Sequence, residues 1–123
     1  MKIQIPKMNS LGMNQYGKLE LIATPEFISL WEDVTDEYRA EAKHEWSENP
    51  GSDGIFRVRI DESTHIFDSK SELIRGECVP NVYGKDVTCI IDILKVYNFK
   101  GYSGLSCRVH QMMIHDPVYL FDA

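Results

Sequence analysis

Two stretches near the C-terminal end, Asp86–Phe99 and Ser103–Ile114, constrain this chain more than anything else in it. From Val87 to Tyr97 the odd positions are Val87, Cys89, Ile91, Ile93, Lys95 and Tyr97, and the even ones include Ile90, Leu94 and Val96. Apolar residues on both faces of the middle section mark a strand with neighbours on either side. From Leu105 to Ile114 the alternation puts Leu105, Cys107, Val109 and Met113 on one face, with Ser106, Arg108, His110 and Met112 on the other. Asn98, Lys100, Gly101 and Gly104 between the two runs supply turn chemistry. The pair is therefore expected as one long antiparallel hairpin, and the remaining elements must be arranged around it.

Upstream, Gly17–Ala23 alternates with Leu19 and Leu21 on one side and reads as a strand. Thr24-Pro25 then offers an N-cap followed by proline at the first helical position. Phe27, Leu30, Trp31, Val34 and Tyr38 recur at helical spacing, with Ala42 close to the same stripe. This predicts one amphipathic helix of about 22 residues, ending before Asn49-Pro50-Gly51. Ile55–Ile60 alternates again, with Phe56, Val58 and Ile60 opposite Ile55, Arg57 and Arg59. Ser63–Phe67 is expected to pair with it through a hairpin turn at Asp61-Glu62, and Asp68–Tyr83 reads as loop. Short antiparallel strands around a single inserted helix predict a mainly β, α+β architecture: an OB-like barrel rather than a βαβ layout. With 123 residues, 43% of them hydrophobic, the expectation is one domain over 1–115 and a short tail over 116–123.

The net charge of −6 is unevenly spread. Between Thr24 and Asp53 nine acids face only Arg39 and Lys43, whereas the rest of the chain carries eleven bases and ten acids. The acidity belongs to the outer face of the helix, and the remaining surface is free to present basic patches. No apolar run approaches a membrane span or the centre of a signal peptide, so a soluble, intracellular protein without a membrane partner is expected. Cys78, Cys89 and Cys107 have no C-x-x-C spacing and are expected as free thiols, the last two inside strands.

Catalytic chemistry finds little support. There is no Walker A loop, no G-x-G-x-x-G and no G-x-S-x-G. His44, His65, His110 and His115 lack the spacing of a metal cluster. No enzyme activity, metal or cofactor is expected.

One constellation does carry chemistry. Tyr97-Asn98-Phe99-Lys100-Gly101-Tyr102 interleaves three aromatics with a base and a glycine, Lys95 precedes it, and Arg108 and His110 lie on the returning strand. Arg57 and Arg59 share one face of an earlier strand. Aromatics that stack on bases, alternating with cations that track phosphates, suit single-stranded nucleic acid. The same residues also fit a second reading, in which Tyr97 and Phe99 close the end of the barrel and the two arginines answer the acidic helix.

The order of these features resembles the OB-fold single-stranded-DNA-binding proteins of large DNA viruses and of some phages, over roughly Gly17 to Ile114. A strand leads to an aromatic-striped helix ending in Ala40-Glu41-Ala42-Lys43-His44-Glu45-Trp46. Then come Phe56-Arg57-Val58-Arg59-Ile60, a short strand Ile66-Phe67-Asp68, a Gly84-Lys85 turn, an apolar strand ending in Tyr97-Asn98-Phe99, and a closing strand ending in Gln111-Met112-Met113-Ile114. The resemblance implies a non-enzymatic protein that binds single-stranded DNA largely without sequence preference, in viral or phage replication or recombination. It points to Arg57, Arg59, Lys95, Tyr97, Phe99, Lys100 and Arg108 as the contacts, to which the constellation itself adds Tyr102 and His110. It leaves RNA undistinguished from DNA and is compatible with a homo-oligomer. The tail from Asp116 would be a route to replication proteins, or, with only two acids, an added edge strand or a segment docked on the core. The chain departs from the family in having little before Gly17 and in carrying Leu105-Ser106-Cys107-Arg108 where an aromatic-basic pair is expected. A protein-interaction module using the acidic helix or the tail is the competing function.

Overall fold

The computed structural model describes residues 1–74 and 81–116. Its strands are β1 (Lys2–Gln4), β2 (Met8–Met13), β3 (Lys18–Ile22), β4 (Glu45–Trp46), β5 (Ile55–Arg59), β6 (His65–Phe67), β7 (Asp86–Phe99) and β8 (Tyr102–Ile114), with one helix, α1 (Pro25–Arg39). Five strands close a barrel in the order β7-β2-β3-β5-β8, and β8 returns to β7. Each pairing is antiparallel except β5 with β8, which is parallel. This is the five-stranded OB arrangement expected above.

The long hairpin forms as anticipated. Lys100 and Gly101 have φ of +50° and +83°, the two positive values that a tight two-residue hairpin loop requires. Two bulges change the facing of its side chains. Ile90 opposes Gln111 while Ile91 opposes Val109, so His110 is an extra residue on β8. Ile93 opposes Cys107 while Lys95 opposes Ser106, so Leu94 is an extra residue on β7. A single inserted residue reverses strand parity beyond it. Met112 therefore joins Val109 in the core, both fully buried, whereas strict alternation places them on opposite faces.

Three further expectations are corrected. Two strands precede Gly17: β1 pairs with β7 around Ile91, and β2 pairs with β7 at Val87 and with β3. The buried residues here are Ile5, just after β1, and Met8 and Ser10 of β2, a pattern too short and too mixed to stand out as strand periodicity. The helix ends at Arg39 after 15 residues. Beyond it the backbone N–H of Lys43 donates to Asn98 Oδ1 at 2.8 Å and that of His44 to Ser103 Oγ at 3.0 Å, and Glu45–Trp46 pairs in parallel with Tyr102–Ser103. Helix-favouring residues from Ala40 to Glu45 yield here to contacts with the hairpin. Finally, β6 does not fold back on β5. It runs parallel to β8, with Ile66 opposite Met112. Thr64 Oγ1 donates to the Val109 carbonyl at 2.6 Å, so the Asp61–Thr64 turn carries the chain along β8 instead of reversing it.

The core lies inside the barrel and under α1. Thr24 Oγ1 accepts from the Phe27 N–H at 3.2 Å and caps the helix, as its sequence predicts. The helix then buries Phe27, Trp31, Val34 and Thr35. Phe27 and Trp31 pack on Phe56 of β5 with ring centroids 4.7 and 5.0 Å away. No helix is long and apolar enough to cross a membrane among the described residues. Cys89 is buried, Cys107 half-buried, and both are free; Cys78 lies outside the described residues, as do residues 117–123 of the expected tail.

Candidate nucleic-acid interface

The β3–β5 pair has one face in the core and one turned outward. Leu19, Leu21, Phe56 and Val58 fill the inner face. In register on the outer face are Lys18 with Arg59 and Glu20 with Arg57. Two hydrogen-bonded carboxylates hold Arg57: Nε donates to Glu20 Oε2 at 2.8 Å and Nη2 to Asp53 Oδ2 at 2.9 Å. Asp53 is in turn kept below the usual carboxylate range, chiefly by the Ile55 N–H and next by the Arg57 guanidinium. Arg59 is freer. Its only ion pair among the described residues is to Asp61 at 4.0 Å, and half of its side chain is exposed. Lys18 is exposed and makes no ion pair among the described residues.

Beside this face β5 and β8 diverge from their single register pair, Arg59 with Arg108. A cleft of about 400 Å³ opens there. Lys18, Arg57 and Arg59 line one side of it, and Tyr97, Leu105, Ser106 and Cys107 the other. Trp46 to Asn49 border it, and Trp31 and Thr35 of α1 reach it from the core. Asn49 holds the margin of β5 in place: its side-chain amide donates to the Arg57 carbonyl at 2.7 Å and accepts from the Arg57 N–H at 3.0 Å. A shallower depression continues past Lys18 and Arg57 to the β2–β3 turn. There Asn14 Oδ1 accepts from the N–H groups of Tyr16 and Lys18, and the Tyr16 ring is left 77% exposed.

Of the nine sequence-based candidates, Arg57, Arg59 and Tyr97 share the cleft. Phe99, Lys100 and Tyr102 form the hairpin tip. Phe99 is 66% exposed, Tyr102 53%, and Lys100 Nζ lies 5.2 Å from the centre of the Phe99 ring. Lys95 is exposed on β7 opposite Ser106, just past the Leu94 bulge. Arg108 is differently placed. It reaches Asp61 at 3.5 Å, Asp92 at 3.6 Å and Ser63 Oγ at 2.9 Å, and only 17% of its side chain is exposed. His110 is the bulged residue, edge-on to His65 at 6.2 Å, with its Nδ1 buried and unpartnered. Neither Arg108 nor His110 lines the cleft.

Tyr16, Lys18 and Trp46 join the surface without standing out in sequence. Lys18 carries a legible signal, because the alternation that points Leu19 inward points Lys18 outward with Glu20. Trp46 carries none, since its seven-residue neighbourhood reads as helix. Among the described residues no three His, Cys, Asp or Glu side chains are grouped to hold a metal ion.

No protein-family model matches the chain, and no curated protein matches it significantly in sequence. Solved structures do match. The single-stranded DNA binding protein gp2.5 encoded by bacteriophage T7 superposes with a TM-score of 0.63 at 13% identity, covering 96% of this chain and 93% of its own. A C-terminally truncated single-stranded DNA-binding protein from bacteriophage Enc34 gives a TM-score of 0.65 at 10% identity, covering 98% and 88%. At such low identity the likeness is one of fold, and it extends over nearly the whole length of each chain.

Proposed function

We propose that this protein binds single-stranded DNA without sequence preference, as a non-enzymatic component of phage or viral DNA replication or recombination. The observation that carries this reading is the outer face of β3 and β5, where Lys18, Arg57 and Arg59 border a cleft whose opposite side holds Tyr97. OB barrels bind oligonucleotides on the face of their second and third strands and on the loops flanking it. In this chain those strands are β3 and β5, and the loops are the β2–β3 turn with Tyr16 and the β7–β8 tip with Phe99 and Tyr102. Bases stack on exposed rings whatever their identity, and the cations follow the backbone. The two phage proteins of the same fold are described as single-stranded DNA-binding proteins, which supports the assignment.

Fluorescence anisotropy of labelled oligo-dT at low and high salt tests it. Binding that weakens steeply with salt is expected. Absence of binding at micromolar protein in low salt overturns the reading. Competition with oligo-rU and with duplex decides the preferred nucleic acid, and incubation with DNA and magnesium checks that no strand is cut.

A further inference from the structure

We infer that the cleft between β5 and β8 is a pocket for a single nucleobase: one base of the bound strand leaves the stack and inserts against the Trp46 and Tyr97 rings. This rests on the single-stranded DNA reading above and adds to it a specific site where a base enters the protein. The volume, about 400 Å³, lies at the low end of small-molecule pockets, which suits one unstacked base and not a duplex. Trp31, Val58, Leu105 and Cys107 give its lining an apolar part beside the two rings, while Lys18, Arg57 and Arg59, together with the carboxylate of Glu48, line it with charge.

Adjacent residues of β8 seat the Tyr97 ring and the Trp46 backbone. Gly104 has no positive φ, so its backbone does not call for glycine. The Tyr97 ring does. A β-carbon at position 104 would sit 2.6 Å from Tyr97 Oη, 2.8 Å from Cζ and 2.9 Å from Cε1. Tyr97 therefore lies across the bare Cα of Gly104, its register partner on β8. Trp46 is held by backbone pairing with Ser103, and the next N–H, of Ser47, donates to the Ser103 carbonyl at 2.7 Å. The Arg39 guanidinium lies 5.0 Å from the centre of the Trp46 ring but does not line the cleft, so it braces that ring from outside. Aromatic walls immobilised before binding cost little entropy when a base stacks on them.

The polar groups around the pocket explain why it would not choose among bases. The Asn49 amide is oriented by the Arg57 backbone, to which it gives one N–H and from which its oxygen accepts one bond. Beside the charged Lys18, Glu48 and Arg59, the neutral lining carries the hydroxyls of Ser47, Ser106 and Tyr97, and a hydroxyl serves as donor or acceptor to any base edge.

The test compares oligo-dT with an abasic deoxyribose-phosphate chain of equal length and label, against wild type, Gly104→Ala, Trp46→Ala and Trp46→Phe, with the thermal melt of each variant recorded. Gly104→Ala and Trp46→Ala should weaken oligo-dT binding about five- to hundredfold and leave abasic-chain binding within about twofold, and Trp46→Phe should recover most of the loss. Oligo-dT should quench tryptophan fluorescence in wild type, and Trp46→Phe should lose Trp46's share of that quenching, leaving only what Trp31 in the same lining contributes. Equal losses on both chains, or no loss on oligo-dT, overturn the base pocket while leaving DNA binding intact. Failure of wild type to bind either chain overturns the functional reading itself. Should Gly104→Ala not fold, the Trp46 pair of variants and the quenching decide alone.

Discussion

Arg57 and Glu20 are register partners on β5 and β3, and the arginine Nε donates to the glutamate at 2.8 Å in the middle of the basic face. With Asp53 on its other nitrogen, Arg57 enters any phosphate contact already neutralised. Arg59, across from Lys18, does not. The slope of log affinity against log salt counts the phosphates neutralised, about 0.7 per contact for a single strand. Arg59→Ala should lower that slope by about 0.7, and Arg57→Ala by less. Glu20→Gln should tighten binding at low salt and steepen the slope. Anisotropy titrations across a salt series measure all three, and equal slope changes for the two arginines would refute the difference in commitment.

Arg108 is expected to act on the fold. Its guanidinium joins Asp61, after β5, to Asp92 of β7, across the point where β5 meets β8. Removing it leaves two half-buried carboxylates with only long contacts to a cation, Asp61 to Arg59 at 4.0 Å and Asp92 to the Met1 amine at 3.9 Å. Arg108→Ala should cost about 1–3 kcal/mol in urea denaturation, less than for a fully buried pair because water still reaches the acids. The salt slope of DNA binding should not change. A normal urea midpoint together with a reduced slope would instead place Arg108 at the nucleic acid.

Asp61 makes part of that stability depend on pH. Its carboxyl is held below the ordinary range, first by the Ser63 hydroxyl, with Arg108 and Arg59 adding their charge. A carboxyl depressed in the folded state stabilises fully above its unfolded pKa of about 3.9, and that contribution is lost as pH falls through the folded value. Asp61→Asn should therefore melt lower than wild type near about pH 7, and the difference should shrink below about pH 3. A gap of constant size over that range would mean that the charge is not what matters at this position.

Much of this architecture is legible in residue order because the relevant signals are local. The β7–β8 hairpin follows from alternation and a Lys100-Gly101 turn, and the start of α1 from Thr24-Pro25. The elements that sequence misplaces are those decided by distant partners. Residues 40–46 have helical propensity, yet Asn98 and Ser103, more than fifty residues away, bond the N–H groups of Lys43 and His44 and lead the chain into β4. Thr64 turns β6 along β8 through a bond to Val109, which no local pattern encodes. Each bulge flips facing by one residue, so a periodicity that is correct up to Val109 is inverted at Met112. The candidate site divides the same way. The outward setting of Arg57 and Arg59 is local, whereas the commitment of Arg108 to two aspartates and the arrival of Trp46 beside Tyr97 depend on how strands meet.

Cys107 lines the cleft yet should behave as an inert thiol. Burial pushes it up to about 12, with the charge of Asp92 adding to the shift. Burial alone raises Cys89 to about 12 as well. Only the thiolate attacks an alkylating reagent, and a free cysteine titrates near about 8.5. At about pH 8 the thiolate fraction of either residue is then on the order of a thousandfold below that of an unfolded chain. Iodoacetamide at that pH should leave both residues unmodified in the native protein and label both in urea, with peptide mapping separating them from Cys78. Occupying the cleft with oligo-dT should make no further difference, because protection comes from the floor on which Cys107 sits and not from the ligand. Labelling of native Cys107 at the rate of an unfolded thiol, suppressed by oligo-dT, would show instead that the cleft is open to solvent down to its sulfur.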